Sequence, residues 1–139
     1  MATYTKFQCF VEDICEKKHN LGSDILKVAL SNASNAPSAS DDVKLADITT
    51  VSVANLDSVT LAVSSSSQTS GTYKLVVADK TMTASGAVGP FQYVIIYNDT
   101  ATNKELICWY DYGSEVTLAN GDTLNSTSAQ NCLAWRNRR

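Results

Sequence analysis

The sequence predicts an all-β domain, a jelly-roll or Greek-key β-sandwich with one N-terminal amphipathic helix. Three observations lead there. Residues 89–124 hold aromatic and β-branched runs at 91–98, 105–111 and 115–119, separated by polar or glycine-containing turns, the pattern of an antiparallel meander. Ser and Thr together number 30, against 6 Gly and 2 Pro, a bias toward strands with polar connections. No strand run alternates with helical runs as a βαβ unit requires, so the layers must be sheet on sheet.

In chain order, a helix is expected first, over about residues 6–21, because Phe7, Phe10, Val11, Ile14 and Leu21 recur at the spacing of one helical face. Thr5 is its expected cap and Gly22 its left-handed stop. A lone helix of that length is marginal in water, so Phe7, Phe10 and Ile14 must dock, either on an open end of the β body or on another protein. Residues 24–30 alternate as a strand with one apolar face. Residues 31–42, with Pro37 and the pair Asp41 and Asp42, form a long surface loop. Weaker strands follow at 43–53 and 56–63, and the serine tract 64–71 is a flexible connection.

Residues 72–79 alternate as a strand, 81–84 continue as a short polar one, and Gly86, Gly89 and Pro90 turn the chain into the meander. Strand 91–98 is apolar on both faces, with Tyr93, Ile95 and Tyr97 opposite Val94 and Ile96, and is therefore central. By parity, Trp109 shares a face with Ile107, and Tyr110 with Leu106 and Cys108. Asn120-Gly121 supplies a type I′ hairpin turn, and Cys132, Leu133 and Trp135 close the chain as a final strand.

At 139 residues and 15.0 kDa the chain suits one domain, 1–139, with the sandwich over about 24–135 and a short basic tail over 136–139. Such a chain buries roughly two thirds of its unfolded surface and needs no metal or disulfide staple. Net charge is −3, from 11 basic and 14 acidic residues. Arg136, Arg138 and Arg139 supply three of the 11, so the body alone is 8 minus 14, or −6. An acidic body argues against phosphate-backbone binding, so no nucleic-acid partner is expected. The arginines make a frayed end or an arm for acidic groups on a partner.

Cysteines at 9, 15, 108 and 132 lack C-x-x-C or zinc spacing. All four are expected reduced, as small apolar core residues of a protein folded in a cytosol. The N-terminus lacks the apolar run of a signal peptide, no stretch approaches a membrane span, and the sequons at Asn32, Asn98 and Asn125 are chance matches.

Residues that could carry chemistry are few. His19 is the one histidine, expected near the helix end where a positive imidazole suits the helix dipole. No nucleophile elbow, H-E-x-x-H, P-loop or G-x-G-x-x-G occurs. Neither Asp41 with Asp42 nor Glu12, Asp13 and Glu16 has the spacing of a calcium loop. No enzyme, cofactor or metal is expected. The aromatic set Tyr93, Tyr97, Trp109, Tyr110 and Tyr112 is either packed in the sandwich or an interface or sugar-stacking surface.

Three stretches carry a likeness: His19-Asn20-Leu21-Gly22-Ser23-Asp24 running on to Leu30, Gly89-Pro90-Phe91-Gln92-Tyr93 running on to Asn98-Asp99-Thr100, and Trp109-Tyr110-Asp111-Tyr112-Gly113 followed by 118–124. In order and spacing they resemble the capsid cement, or decoration, proteins of tailed bacteriophages, of the kind carried by a Bordetella phage and its relatives. These relatives commonly have a glycine-rich central turn where this chain has the serine-rich 55–71. The resemblance implies a jelly-roll protein on the outer surface of an icosahedral capsid, assembled in the host cytoplasm, that cements neighbouring major capsid subunits against internal DNA pressure. It also implies a homodimer over each joint. The alternatives are a carbohydrate-binding jelly-roll module of a phage fibre, stacking sugars on Trp109, Tyr110 and Tyr112, or a tail or baseplate component. Expected protein contacts are Phe7 and Phe10, the loop at Asp41 and Asp42, and Trp135 with Arg136, Arg138 and Arg139.

Overall fold

A computed structural model describes the backbone of residues 3–129 and 132–138 and the side chains of residues 3–126. The described chain is mostly β, with antiparallel sheets and one short helix. Its elements run β1 (Thr3–Lys6), α1 (Cys9–Cys15), β2 (Leu26–Ser31), β3 (Thr60–Leu61), β4 (Val63–Thr69), β5 (Thr72–Val77), β6 (Lys80–Thr83), β7 (Val88–Asn98), β8 (Leu106–Leu118), β9 (Thr123–Ala129) and β10 (Cys132–Arg138), with 3-10 turns at Ala33–Asn35 and Leu45–Asp47. A five-stranded sheet has the order β1-β8-β7-β2-β3, a three-stranded sheet the order β10-β9-β6, and among the described residues β4 pairs only with β5.

As its two-sided apolar pattern predicts, β7 is the centre of the larger sheet, and both faces of that sheet are covered. On one face Val28, Leu30, Val94, Ile96 and Tyr110 join Met82, Leu124 and Val77 of the smaller sheets in one buried cluster. On the other, Ala29, Ile95, Tyr97 and Trp109 pack with Phe7 and Ile48. These two clusters supply the main driving force for folding, at roughly 25 cal/mol per Å² of apolar surface removed from water.

The expected face assignment in β8 fails because of a bulge. Ile96 lies opposite Cys108 and Tyr97 opposite Leu106, which leaves Ile107 unpaired. The extra residue resets the alternation. Leu106 therefore packs with Trp109 and Ile107 with Tyr110, the reverse of simple parity, while Cys108 keeps the expected face with Tyr110. The expected strands at 105–111 and 115–119 are one strand, β8.

The helix differs most from expectation. It is only Cys9–Cys15, capped at Gln8 without a side-chain bond, because Thr3–Lys6 pairs along β8 from Thr3 opposite Asp111 to Lys6 opposite Cys108. Thr5 is thus a strand residue and not a cap. Lys17, at φ 66, ends the helix ahead of Gly22. Lys18 N–H donates to Asp13 O at 2.8 Å and Lys17 N–H to Ile14 O at 3.2 Å, the paired bonds of a Schellman motif.

Residues 43–53 and 56–63 are not the two strands expected. They contain a 3-10 turn at Leu45–Asp47, single bridges joining Lys44 to Glu105 and Val51 to Leu30, and the two-residue strand β3. Asp47 Oδ2 accepts from Val43 and Lys44 N–H, each at 3.0 Å, favouring a turn there over a ladder. Those backbone bonds hold the Asp47 carboxyl below its ordinary range. The serine tract is also ordered. It forms β4, paired with β5 from Val63 opposite Val77 to Thr69 opposite Thr72. Ser70 and Gly71, at φ 51 and 79, supply the two positive angles of a type I′ turn. At Asn120-Gly121 only Gly121 of the pair has positive φ, 89. That turn carries the chain from one sheet to another instead of closing a hairpin.

Candidate functional site

Helix α1 packs with the opposite polarity to its sequence pattern. Its buried residue is Asp13, whereas Val11 is 52% exposed and Ile14 44%. Asp13 can be buried because Lys18 Nζ reaches its Oδ1 at 2.9 Å and His19 Nε2 faces its Oδ2 at 4.0 Å. With that face of the helix committed to a polar cluster, its aliphatic side chains are left to solvent.

They are not alone there. Tyr4 on the edge strand β1 and Tyr73 on β5 are 41% and 50% exposed. Tyr4, Phe10, Tyr73 and Tyr110 line an apolar cavity of about 180 Å³ between the β4–β5 hairpin, α1 and the five-stranded sheet. Ile14 and Tyr73 line a second recess alongside it, with His19 and Ser66. Tyr73 and Leu21 line both, so the two recesses adjoin, with Tyr4, Ile14 and Tyr73 exposed around them on edge strand, helix and hairpin.

Beneath it runs a buried polar chain. His19 Nδ1 lies 3.0 Å from Asn98 Nδ2, which also donates to Asp24 Oδ2 at 2.6 Å. Asn98 Oδ1 accepts from Thr100 and Ala101 N–H at 3.0 and 3.2 Å. The expectation of a charged His19 at the helix end is corrected: its side chain is wholly buried, against Phe10 with ring centroids 5.2 Å apart, and burial lowers its pKa from the ordinary imidazole value. Two stretches quoted for the family likeness, 19–24 and 97–100, thus meet at this cluster.

The expected contact residues are divided. Phe7 is wholly buried against Trp109, ring centroids 4.5 Å apart. It is a core residue and not a contact. Phe10 is half-buried on the cavity wall. Asp41 is exposed and accepts from Ser38 Oγ at 2.8 Å, and Asp42 accepts from Ser38 N–H at 2.7 Å. Their loop lies beside the start of α1, where Gln8 N–H donates to Ala39 O at 2.9 Å. The backbone of Trp135, Arg136 and Arg138 belongs to β10, but their side chains, and Arg139 entirely, lie outside the described residues.

The sugar-stacking platform is overturned. Trp109 and Tyr110 are buried on opposite faces of the sheet, and the Tyr112 hydroxyl is buried, where desolvation raises its pKa far above the ordinary phenol range. Of the cysteines, Cys108 is core, but Cys9 is only partly buried and Cys15 is exposed, so not all four are core residues. Burial, reinforced by Asp13, pushes the Cys9 thiol up to about 11, leaving it protonated and unreactive near neutral pH.

Sequence reasoning missed Tyr4 and Tyr73, because alternation assigns a side chain to a face without saying whether the face is covered. It also missed the Asp13–His19–Asn98 chain, whose only signal was polar residues inside otherwise apolar patterns. Among the described residues no group of three or more His, Cys, Asp or Glu could hold a metal ion, and no helix is long and apolar enough to cross a membrane. The fold and surface define an antiparallel β protein with exposed apolar side chains on β1, α1 and β5. No protein-family model, curated protein or solved structure matches the chain.

Proposed function

We propose that this chain is a structural virion protein that binds the outside of an icosahedral phage capsid and cements neighbouring major capsid subunits against internal DNA pressure. The observation that carries the proposal is the apolar surface made by Tyr4, Phe10, Ile14 and Tyr73 on an otherwise acidic, all-β body. The likeness of 19–30, 89–100 and 109–124 to capsid cement proteins gives that surface its partner, a major capsid protein. Those stretches fall largely in β2, β7 and β8, the centre of the scaffold. A core shared by the five-stranded sheet and the smaller sheets supports a β-sandwich, and jelly-roll connectivity is part of the proposal. Cementing requires no chemistry, only many modest interfaces acting together. The homodimer over each joint belongs to the same reading.

The test is co-sedimentation with shells assembled from the major capsid protein of the same genome. The wild-type chain is expected to pellet with them, and Ile14→Asp with Tyr73→Ser to lose at least tenfold in affinity while still unfolding cooperatively, since both positions are half exposed. Undiminished binding by the double variant would remove this surface from the interface. A wild-type chain that ignores the shells would remove the function.

A further inference from the structure

We propose that the contact between His19 and Asn98 is an acid-released latch, fastening α1 and the connector at residues 16–25 to the end of β7 while the imidazole is neutral and unfastening them when it takes up a proton. The geometry rests on Asn98, which is fully buried and whose amide cannot turn. Its Oδ1 accepts from two backbone N–H groups, of Thr100 and Ala101, and its Nδ2 spends one hydrogen on Asp24. The second hydrogen therefore points at His19 Nδ1, 3.0 Å away, so Nδ1 accepts and the neutral ring carries its proton on Nε2. Protonation would place an N–H at Nδ1 against the amide N–H. Flipping the amide to relieve this would break the bonds to Thr100, Ala101 and Asp24 together.

The charged groups around the ring do not rescue the cation. Asp13 on α1, Glu105 at the start of β8 and Asp24 on the connector favour it, and Lys18 opposes it. Asp13 is already engaged by Lys18, and its Oδ2, like His19 Nε2, has no hydrogen-bond partner. Desolvation outweighs the carboxylates and lowers the pKa of the folded imidazole. The sign follows: a group with a depressed folded pKa that is neutral when deprotonated stabilises the latch fully above the unfolded imidazole pKa of about 6.5, and that contribution drains away as pH falls below it. One proton taken up only on opening raises the opened population about fivefold over the first pH unit below that value, steepening toward about tenfold per unit beneath it. What opens is the element bearing Phe10 and Ile14.

The experiment uses the full chain labelled with ¹⁵N, whose single histidine gives one imidazole signal set. The proposal expects the Nε2–H tautomer at pH 8, and amide exchange at residues 16–25, corrected for intrinsic rate, that rises about fivefold between pH 6.5 and 5.5 while the interior of β7 stays protected. His19→Gln, which cannot be protonated, should flatten that dependence. An Nδ1–H tautomer, pH-independent exchange in the wild type, or the same dependence in His19→Gln would each overturn the latch. Should the variant fail to fold, the wild-type tautomer and exchange profile decide alone.

Discussion

Phe7→Ala is expected to lower the stability of the folded chain by about 3–5 kcal/mol, the range for truncating a buried aromatic ring. Phe7 is fully buried, stacks at a tilt of 53° on Trp109, and shares a cluster with Ala29, Ile48, Ile95 and Leu106. Its N–H also donates to Ile107 O at 3.1 Å, so the ring pins the junction between β1 and α1 to the sheet. A cavity at that junction would collapse little, because the sheet beneath it is packed on its other face as well. Since a domain of this size is held by only about 5–15 kcal/mol in total, urea denaturation should show a sharply lower midpoint. Phe7→Leu, which fills part of the ring's volume, should lose less than Phe7→Ala. Unchanged stability in Phe7→Ala, accompanied by loss of shell binding, would return Phe7 to the surface.

Gly89→Ala is expected to be the second severe lesion, lowering stability by roughly 3 kcal/mol or more, from backbone strain and overpacking together. Gly89 has φ +118, a conformation side chains rarely adopt, and an added Cβ would sit 2.7 Å from Val116 O and 3.2 Å from the backbone N of Phe91. Both neighbours are main-chain atoms of paired strands, so neither can swing aside as a flexible side chain would. The close approach exists because β7 and β8 shift register here, with Val88 opposite Leu118 and Phe91 opposite Val116. Thermal unfolding of Gly89→Ala beside wild type checks this. A midpoint within a degree or two of wild type would mean that the strands can part at this point without loss.

How much of this was legible from the residues follows from what kind of force fixes each part. Strands β2 and β7 were legible because burial on alternating or on both faces writes itself into the sequence. Strand β8 was seen as two pieces, since Gly113 and the polar residues around it read as a break where the chain continues paired. The hairpin β4–β5 was half hidden, because its serine-rich strand gains order from cross-strand pairing and the Ser70-Gly71 turn rather than from apolar burial. The bulge at Ile107 could not be read at all: it depends on the partner strand, and one unpaired residue exchanged the faces of Leu106 and Ile107. The helix was legible as an element, but its facing was not. Periodicity assigned Val11 and Ile14 inward, whereas Asp13 is the buried helix residue, held by the exposed Lys18 and faced by the buried His19. That inversion exposes the surface on which the functional proposal stands.

The most direct test is a density map of an intact particle bearing this chain. Copies seated on the outer surface of the shell across joints between capsid subunits, with Ile14 and Tyr73 turned toward the shell, are the predicted result. Density for the chain in the tail or baseplate, or a shell whose joints carry no copy of it, would contradict the account.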